Sequence, residues 1–283
     1  MKRLPLIFLF CSSFAMASVP ENSLRFPTSG KVLKGVNSSS IELVRFQKVL
    51  NNFEQAWRET LRLEYGKKLI FDINLEDDRV NASCSRDDDN NPILRIRGGL
   101  LRHPDMNEEV LNFLLCHELG HFMGGAPKSF RGASSKRSWS SVEGQADYFA
   151  ATKCLPKIYS EGISVYEAQK SSLIKDRVKS ICEGEVCSKV VYSGLLATRF
   201  FASLKSGGSI PEIGKYERFY PSSTLQKHPS PQCRLDTIVS AIKCEIDYSY
   251  LMDDKDITIG ACIKKDLDLA GERASCWFNE SSY

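Results

Sequence analysis

Two of the four histidines in this 283-residue chain flank a glutamate, in the run Leu115-Cys116-His117-Glu118-Leu119-Gly120-His121. On an α-helix, residues four apart leave the same face, so His117 and His121 can reach one metal ion. Glu118, beside them, can take a proton from a water held by that ion. The spacing H-E-x-x-H therefore predicts a Zn2+ site, one ion per chain, with a general base built in. The competing reading is an ordinary amphipathic helix with two unrelated histidines. Val110, Leu111, Leu114, Leu115, Leu119 and Phe122 argue against it, because they bury the helix, and imidazoles buried there need partners. Cys116 lies about 100° from His117 around the helix and reads as a core thiol or disulfide partner, not a ligand.

A catalytic zinc site takes three protein ligands and keeps a position for water. Two patterns for the third ligand can be tested on the sequence. In the metzincin pattern H-E-x-x-H-x-x-G-x-x-H, Gly124 matches the glycine, but the last histidine would fall on Pro127, which has no donor atom. The gluzincin pattern places a Glu on a later helix with an Asp one turn on. Residues 138–154 offer this in Ser141-Val142-Glu143-Gly144-Gln145-Ala146-Asp147, where Glu143 and Asp147 share a helix face. Glu143 would bind the metal, and Asp147 would hydrogen-bond the outer nitrogen of a ligand histidine, His117 first among them. The alternative makes Glu143 the far end of a capping box with Ser140 and leaves Asp147 as a surface charge.

The stretch Glu143-Gly144-Gln145-Ala146-Asp147-Tyr148-Phe149-Ala150 resembles the E-x-Q-A-D-x-x-A signature of the gluzincin family that contains the CAAX prenyl proteases and the HtpX- and BepA-type peptidases. Two further segments are similar to that family: Val80-Asn81-Ala82 with Gly98-Gly99-Leu100 on either side of a strand, and His228-Pro229 followed by Arg234-Leu235. The resemblance spans roughly residues 80–240. It implies His117, His121 and Glu143 as ligands, Glu118 as base, His228 near the metal as oxyanion donor or as a plugging ligand, and Arg234 as a supporting group. The chain departs from the prenyl-protease branch in showing no transmembrane helix, and from the BepA type in showing no helical-repeat domain.

These side chains need a scaffold, and hydrophobic periodicity outlines one. A helix is expected over residues 41–65, with Ile41, Val44, Val49, Phe53, Ala56, Trp57 and Leu61 as its stripe and Ser38 to Ser40 as its cap. A strand follows over 69–75. Residues 76–92 read as polar, with a solvated turn at 87–91. Pro92 to Arg97 alternates as a strand. In a zinc peptidase such a strand offers its free edge to an extended substrate; otherwise it is an ordinary sheet strand. The central helix is expected to start after Pro104, with Asp105 and Glu108 as its cap, and to stop at Gly124-Gly125. A buried helix is expected around 190–201, and another over 232–246. In the loop between them, Tyr216, Phe219 and Tyr220 either line a cleft or, as the favoured reading, pack the loop down.

The N-terminus reads as a secretory signal: Lys2 and Arg3, an apolar run from Leu4 to Phe14, then Ala15-Met16-Ala17, which places cleavage before Ser18. Loss of residues 1–17 removes two basic residues and lowers the net charge from +3 to +1. That balance gives no case for a nucleic-acid partner. Nine cysteines remain after cleavage, an odd number that leaves at least one unpaired within the chain. Cys182 and Cys187 bracket a short Gly-containing loop that can close on itself or be anchored to Cys154; the sequence leaves the remaining connectivity open. Cys233 and Cys244 are separated by helical sequence, about 16 Å, and do not pair with each other. The expected organisation is a signal over 1–17, a flexible lead-in over 18–40, a zinc metallopeptidase domain over 41–246 and a Cys-containing extension over 247–283. The expected fold is α+β, mainly helical and zincin-like, with a small sheet and a disulfide-tied C-terminal half. The expected protein is an exported endopeptidase, periplasmic or secreted, acting on protein or peptide substrates. A zinc-binding envelope assembly or chaperone-like factor is the alternative.

Overall fold

The computed structural model describes residues 16–17, 19–28, 38–130, 136–161, 172–205, 207–263 and 271–282. The expected signal sequence, apart from Met16 and Ala17, lies outside the described residues, as do 18 and 29–37 of the expected lead-in. The fold is α+β. Helix α1 (Ser38–Tyr65) buries Phe46, Val49, Leu50, Phe53, Ala56, Trp57 and Leu61. Val44, expected in that stripe, is 74% exposed. It falls about 160° around the helix from Phe46, so the stripe turns it to solvent.

The sheet has strand order β1-β3-β4-β2. Strand β2 (Ile70–Asn74) runs parallel to β4 (Pro92–Arg97), in register from Ile70 opposite Ile93 to Asn74 opposite Arg97. Strand β3 (Ala82–Arg86) pairs antiparallel on the other side of β4, and the two-residue β1 (Met16–Ala17) lies antiparallel on the outer edge of β3. Two expectations change here. Residues 82–86, read as part of a polar segment, form a strand. Their sequence Ala-Ser-Cys-Ser-Arg has no β-branched residue to announce it, yet Ser83, Cys84 and Ser85 are buried on β4. Strand β4 has no free edge, since β2 and β3 take both of its sides. The outer strands of the sheet are β2 on one side and the short β1, beyond β3, on the other.

Helix α2 (Gly98–Leu101) leads to the central helix α3 (Glu108–Met123). Its cap is Asn107, whose side chain accepts from the Val110 amide at 2.9 Å, and not Asp105, which lies outside the helix. A hairpin of β5 (Lys128–Phe130) and β6 (Arg137–Ser141) follows, so helix begins only at α4 (Glu143–Phe149) and not at residue 138. A π-helical turn over Ala150–Cys154 joins α4 to α5 (Leu155–Ser160). Helices α6 (Ser172–Lys179), α7 (Glu185–Ser203) and α8 (Pro231–Ala241) complete the helical layer; α8 ends before residue 246, where a helix was expected to reach.

Four disulfides join Cys116 to Cys154, Cys182 to Cys187, Cys233 to Cys276 and Cys244 to Cys262; Cys84 is free and buried. The C-terminal residues pack onto α4. Trp277 is fully buried, and the Tyr148 hydroxyl donates to the Gly271 carbonyl at 2.6 Å. Tyr216, Phe219 and Tyr220 are exposed, contrary to the favoured reading that they pack their loop down. Polar groups hold the loop instead. The Glu217 amide donates to Asp236 Oδ2 at 2.7 Å, and Gln232 Nε2 donates to the Lys215 carbonyl at 2.8 Å.

Candidate metal centre

Helices α3 and α4 cross where each carries its smallest residues. A Cβ on Gly120 would stand 2.8 Å from the Ala146 carbonyl oxygen, so only glycine lets the two backbones come this close. One helix turn from that contact, the crossing faces His117 and His121 toward Glu143. All three are buried, and their donor atoms lie within 4.8 Å of one another.

Each histidine is fixed through Nδ1. His121 Nδ1 stands 2.9 Å from the Ser141 carbonyl oxygen. A carbonyl can only accept, so Nδ1 carries the hydrogen and the Nε2 lone pair faces the cluster. His117 Nδ1 stands 2.7 Å from Asp147 Oδ1. The same carboxylate accepts from Arg234, at 2.8 Å from Nε and 2.7 Å from Nη2. Two guanidinium hydrogens on Asp147 keep it ionised, and it therefore takes the His117 Nδ1 hydrogen. The Arg234 guanidinium lies over the Phe201 ring, 3.7 Å from its centroid, which closes this network from the far side.

On the near side, His117 Nε2, His121 Nε2 and Glu143 Oε2 are buried and have no hydrogen-bond partner. His117 Nε2 is 3.2 Å from Glu143 Oε2, and His121 Nε2 is 3.7 Å from Glu143 Oε1. Two imidazole nitrogens and a carboxylate converging on one point fit a divalent cation. His228 Nε2 stands 3.3 Å from Glu143 Oε2, and its side chain is part-exposed, so it lies at the mouth of the cluster. Glu118 is buried on α3 and faces β3, where its charge acts on the Cys84 thiol.

The ionisation of the metal-free site follows from these contacts. Burial favours neutral His117, but Asp147 and Glu143 outweigh it and raise its pKa to about 9. Burial lowers His121 to about 4, against the pull of Glu143. Burial also favours a protonated Glu143, yet His121, His117 and His228 hold it well below the ordinary carboxylate range. Asp147 is likewise held low, because Arg234 and His117 overcome its burial. A proton on His117 thus occupies part of the place a cation would take.

The structure brings His117, His121, Glu143, Asp147, His228 and Arg234 into one network. Glu143 is the first residue of α4, and Ser140 does not cap the helix. Several supporting residues escaped the sequence reading. The Ser141 carbonyl orients His121, and a backbone group leaves no trace in a motif. Trp277 seals Gly144, where a Cβ would meet the indole at 2.1 Å. Arg273 Nε donates to Gln145 Oε1 at 2.6 Å. The glycine beside Glu143 was the available signal that something large packs against it.

Comparison with protein-family models, with curated proteins and with solved structures gives no match. Among the described residues, no helix is long and apolar enough to cross a membrane.

Proposed function

We propose that this chain is an exported zinc-dependent endopeptidase of the gluzincin type, with a zincin-like arrangement of its helices, acting on envelope or extracellular proteins. The observation that supports it is the buried pair of imidazole Nε2 atoms, tautomers set by Asp147 and by Ser141, facing the Glu143 carboxylate. His117, His121 and Glu143 would hold the ion. When bound, Zn2+ supplies Lewis acidity that polarises a peptide carbonyl and acidifies water. Glu118 takes the proton of the attacking water and delivers it to the leaving amine. His228, at the mouth of the cluster, donates to the developing oxyanion. Arg234 acts through Asp147, holding the carboxylate that holds His117.

Glu118→Gln should bind zinc at one ion per chain and lose cleavage of an unfolded protein such as casein, while the unmodified chain cleaves and is stopped by a chelator. Cleavage by the Glu118→Gln variant at the unmodified rate would refute the assignment of the base. A second reading, a zinc-binding envelope assembly or chaperone-like factor, is favoured by one observation: His228 lies 3.3 Å from Glu143 and could close the site as a further ligand. His228→Ala separates the two. A peptidase plugged by His228 gains activity, a peptidase that uses it loses activity, and a binding protein stays inert with zinc in place.

A further inference from the structure

The cavity at the metal centre, about 760 Å3, is built from stretches of chain far apart in sequence. Part of its lining is the segment from Val19 to Arg25. That segment is anchored where the Val80 amide donates to the Leu24 carbonyl at 3.2 Å and the Phe26 amide to the Asp78 carbonyl at 2.8 Å. Another part carries Lys205, just beyond α7, and Lys227 with His228 from the loop before α8. Glu143, almost wholly buried, belongs to the same lining.

The charges of this lining do not balance within it. Arg25 and Arg79 are already paired, with Asp78 and Asp77, each at 2.5 Å. Glu143 is turned to His117 and His121. Lys205 and Lys227 are exposed and have no carboxylate partner among the described residues, whereas Lys189 and Lys215 hold Glu185 and Glu212 at 2.8 and 2.5 Å. Against these two cations the described lining sets only Glu21. The backbone under Lys227 is fixed on both sides. The Leu225 amide donates to the Trp277 carbonyl at 2.8 Å, Gln226 Oε1 accepts from the Phe130 amide at 3.1 Å, and Ser230 Oγ donates to Glu217 Oε2 at 2.5 Å. Lys205 is held as well, its carbonyl accepting from the Gly208 amide at 3.2 Å. An ammonium group on a long stem reads the sign of a charge and tolerates differences in side-chain length. Lys227 directly precedes His228, whose Nε2 stands 3.3 Å from Glu143 Oε2, so a carboxylate held by Lys227 lies close to the metal.

We infer that this cleft selects peptides with acidic side chains near the bond it addresses, and that Lys205 and Lys227 are the residues that read them. The inference rests on the peptidase reading for the fate of the peptide, but the charge preference stands or falls by binding alone.

The test uses the zinc-loaded protein carrying Glu118→Gln, which holds a peptide without cutting it. The probes are short, end-blocked, labelled peptides, alike except that the charged positions are Glu, Gln or Lys, followed by fluorescence anisotropy. The Glu peptide should bind about fivefold more tightly than the Gln peptide at low ionic strength, as two exposed ion pairs allow, and the margin should shrink in high salt. Lys205→Met/Lys227→Met should abolish the preference with zinc content unchanged, and Lys205→Glu/Lys227→Glu should turn it toward the Lys peptide. Lys175→Met/Lys179→Met, the same change of charge on α6, should leave it as it was. A preference that survives both replacements of Lys205 and Lys227 belongs to the metal, and one that the α6 change also removes belongs to the field of the whole protein; either overturns the inference. So does equal binding of the Glu and Gln peptides, or tighter binding of a single-stranded oligonucleotide through the same two lysines. Cleavage is read separately with Glu118 restored. No cleavage of any of these peptides, with the binding preference intact, would sink the peptidase reading and leave the charge preference standing; cleavage without the preference would do the reverse.

Discussion

Asp147→Asn removes one charge from the most connected point of the site. The carboxylate is fully buried and accepts from His117 Nδ1 at 2.7 Å and from Arg234 at 2.8 and 2.7 Å. Asparagine keeps one acceptor oxygen and turns an amide donor toward groups that are themselves donors. Breaking a buried ion pair by neutralising one partner costs about 3–5 kcal/mol, because the other charge stays behind in a dry site. Phe201, stacked under the guanidinium, returns part of this, so the lower half of the range is expected. Loss of the group that orients a ligand histidine weakens metal affinity about 10- to 100-fold. Urea denaturation of the metal-free protein gives the first quantity, and zinc competition against a chromophoric chelator gives the second. Adding Arg234→Met should recover much of the stability while leaving zinc affinity low, since the stranded charge is gone but His117 is still unguided. If Asp147→Asn binds zinc like the unmodified protein, Asp147 does not set the His117 tautomer. If the two substitutions add in stability, the pair is not the coupled unit described here.

Three further outcomes follow from the same contacts. Gly144→Ala would drive a methyl to within 2.1 Å of the Trp277 indole, and an overpacked core of this kind loses about 1–3 kcal/mol, read as a lower midpoint in urea together with weaker zinc binding through the displaced Glu143. Replacing both Cys116 and Cys154 by Ala opens a cross-link 38 residues apart, for which chain entropy predicts a loss of about 4 kcal/mol; an unchanged urea midpoint would show that this staple contributes nothing. Metal-free stability should peak near pH 6.5. His117, raised to about 9, stabilises fully below the ordinary histidine value and loses that contribution as pH climbs toward 9. His121, lowered to about 4, destabilises below the ordinary value as the unfolded chain takes up the proton that the native site refuses. Denaturation midpoints measured from pH 4 to 9 that rise or fall monotonically would contradict this pairing.

The chemistry was more legible than the scaffold. His117, His121, Glu143 and Asp147 are side chains at helical spacing, and a spacing of four survives in the sequence whatever surrounds it. Gly120 and Ala146 were visible as small residues, although nothing local says that they touch. Strand β3 was illegible because its residues carry no β propensity; its conformation comes from β4 beside it. The free edge expected of Pro92 to Arg97 failed for the same reason, since β3, which takes one side of that strand, went unrecognised. The alternation of Pro92 to Arg97 was correctly read, but alternation reports which face is buried and not which edge is free. Asn107 displaced Asp105 as the cap of α3 through a choice between two turn residues two positions apart that only the backbone resolves.

The packing of Trp277 on Gly144 carries a consequence for the order of events in biosynthesis. Helix α4 presents Glu143 and Asp147, yet it is walled by residues near the end of the chain: Gly271 receives the Tyr148 hydroxyl, Arg273 holds Gln145, and Cys276 is bonded to Cys233 beside Arg234. While the polypeptide is still emerging, both histidines and the glutamate have already been made, but helix α4 lacks these supports. The centre reaches its final geometry only when residues 271–277 have docked on α4. Residues 271–277 thus set the moment at which His117, His121 and Glu143 come to face one another.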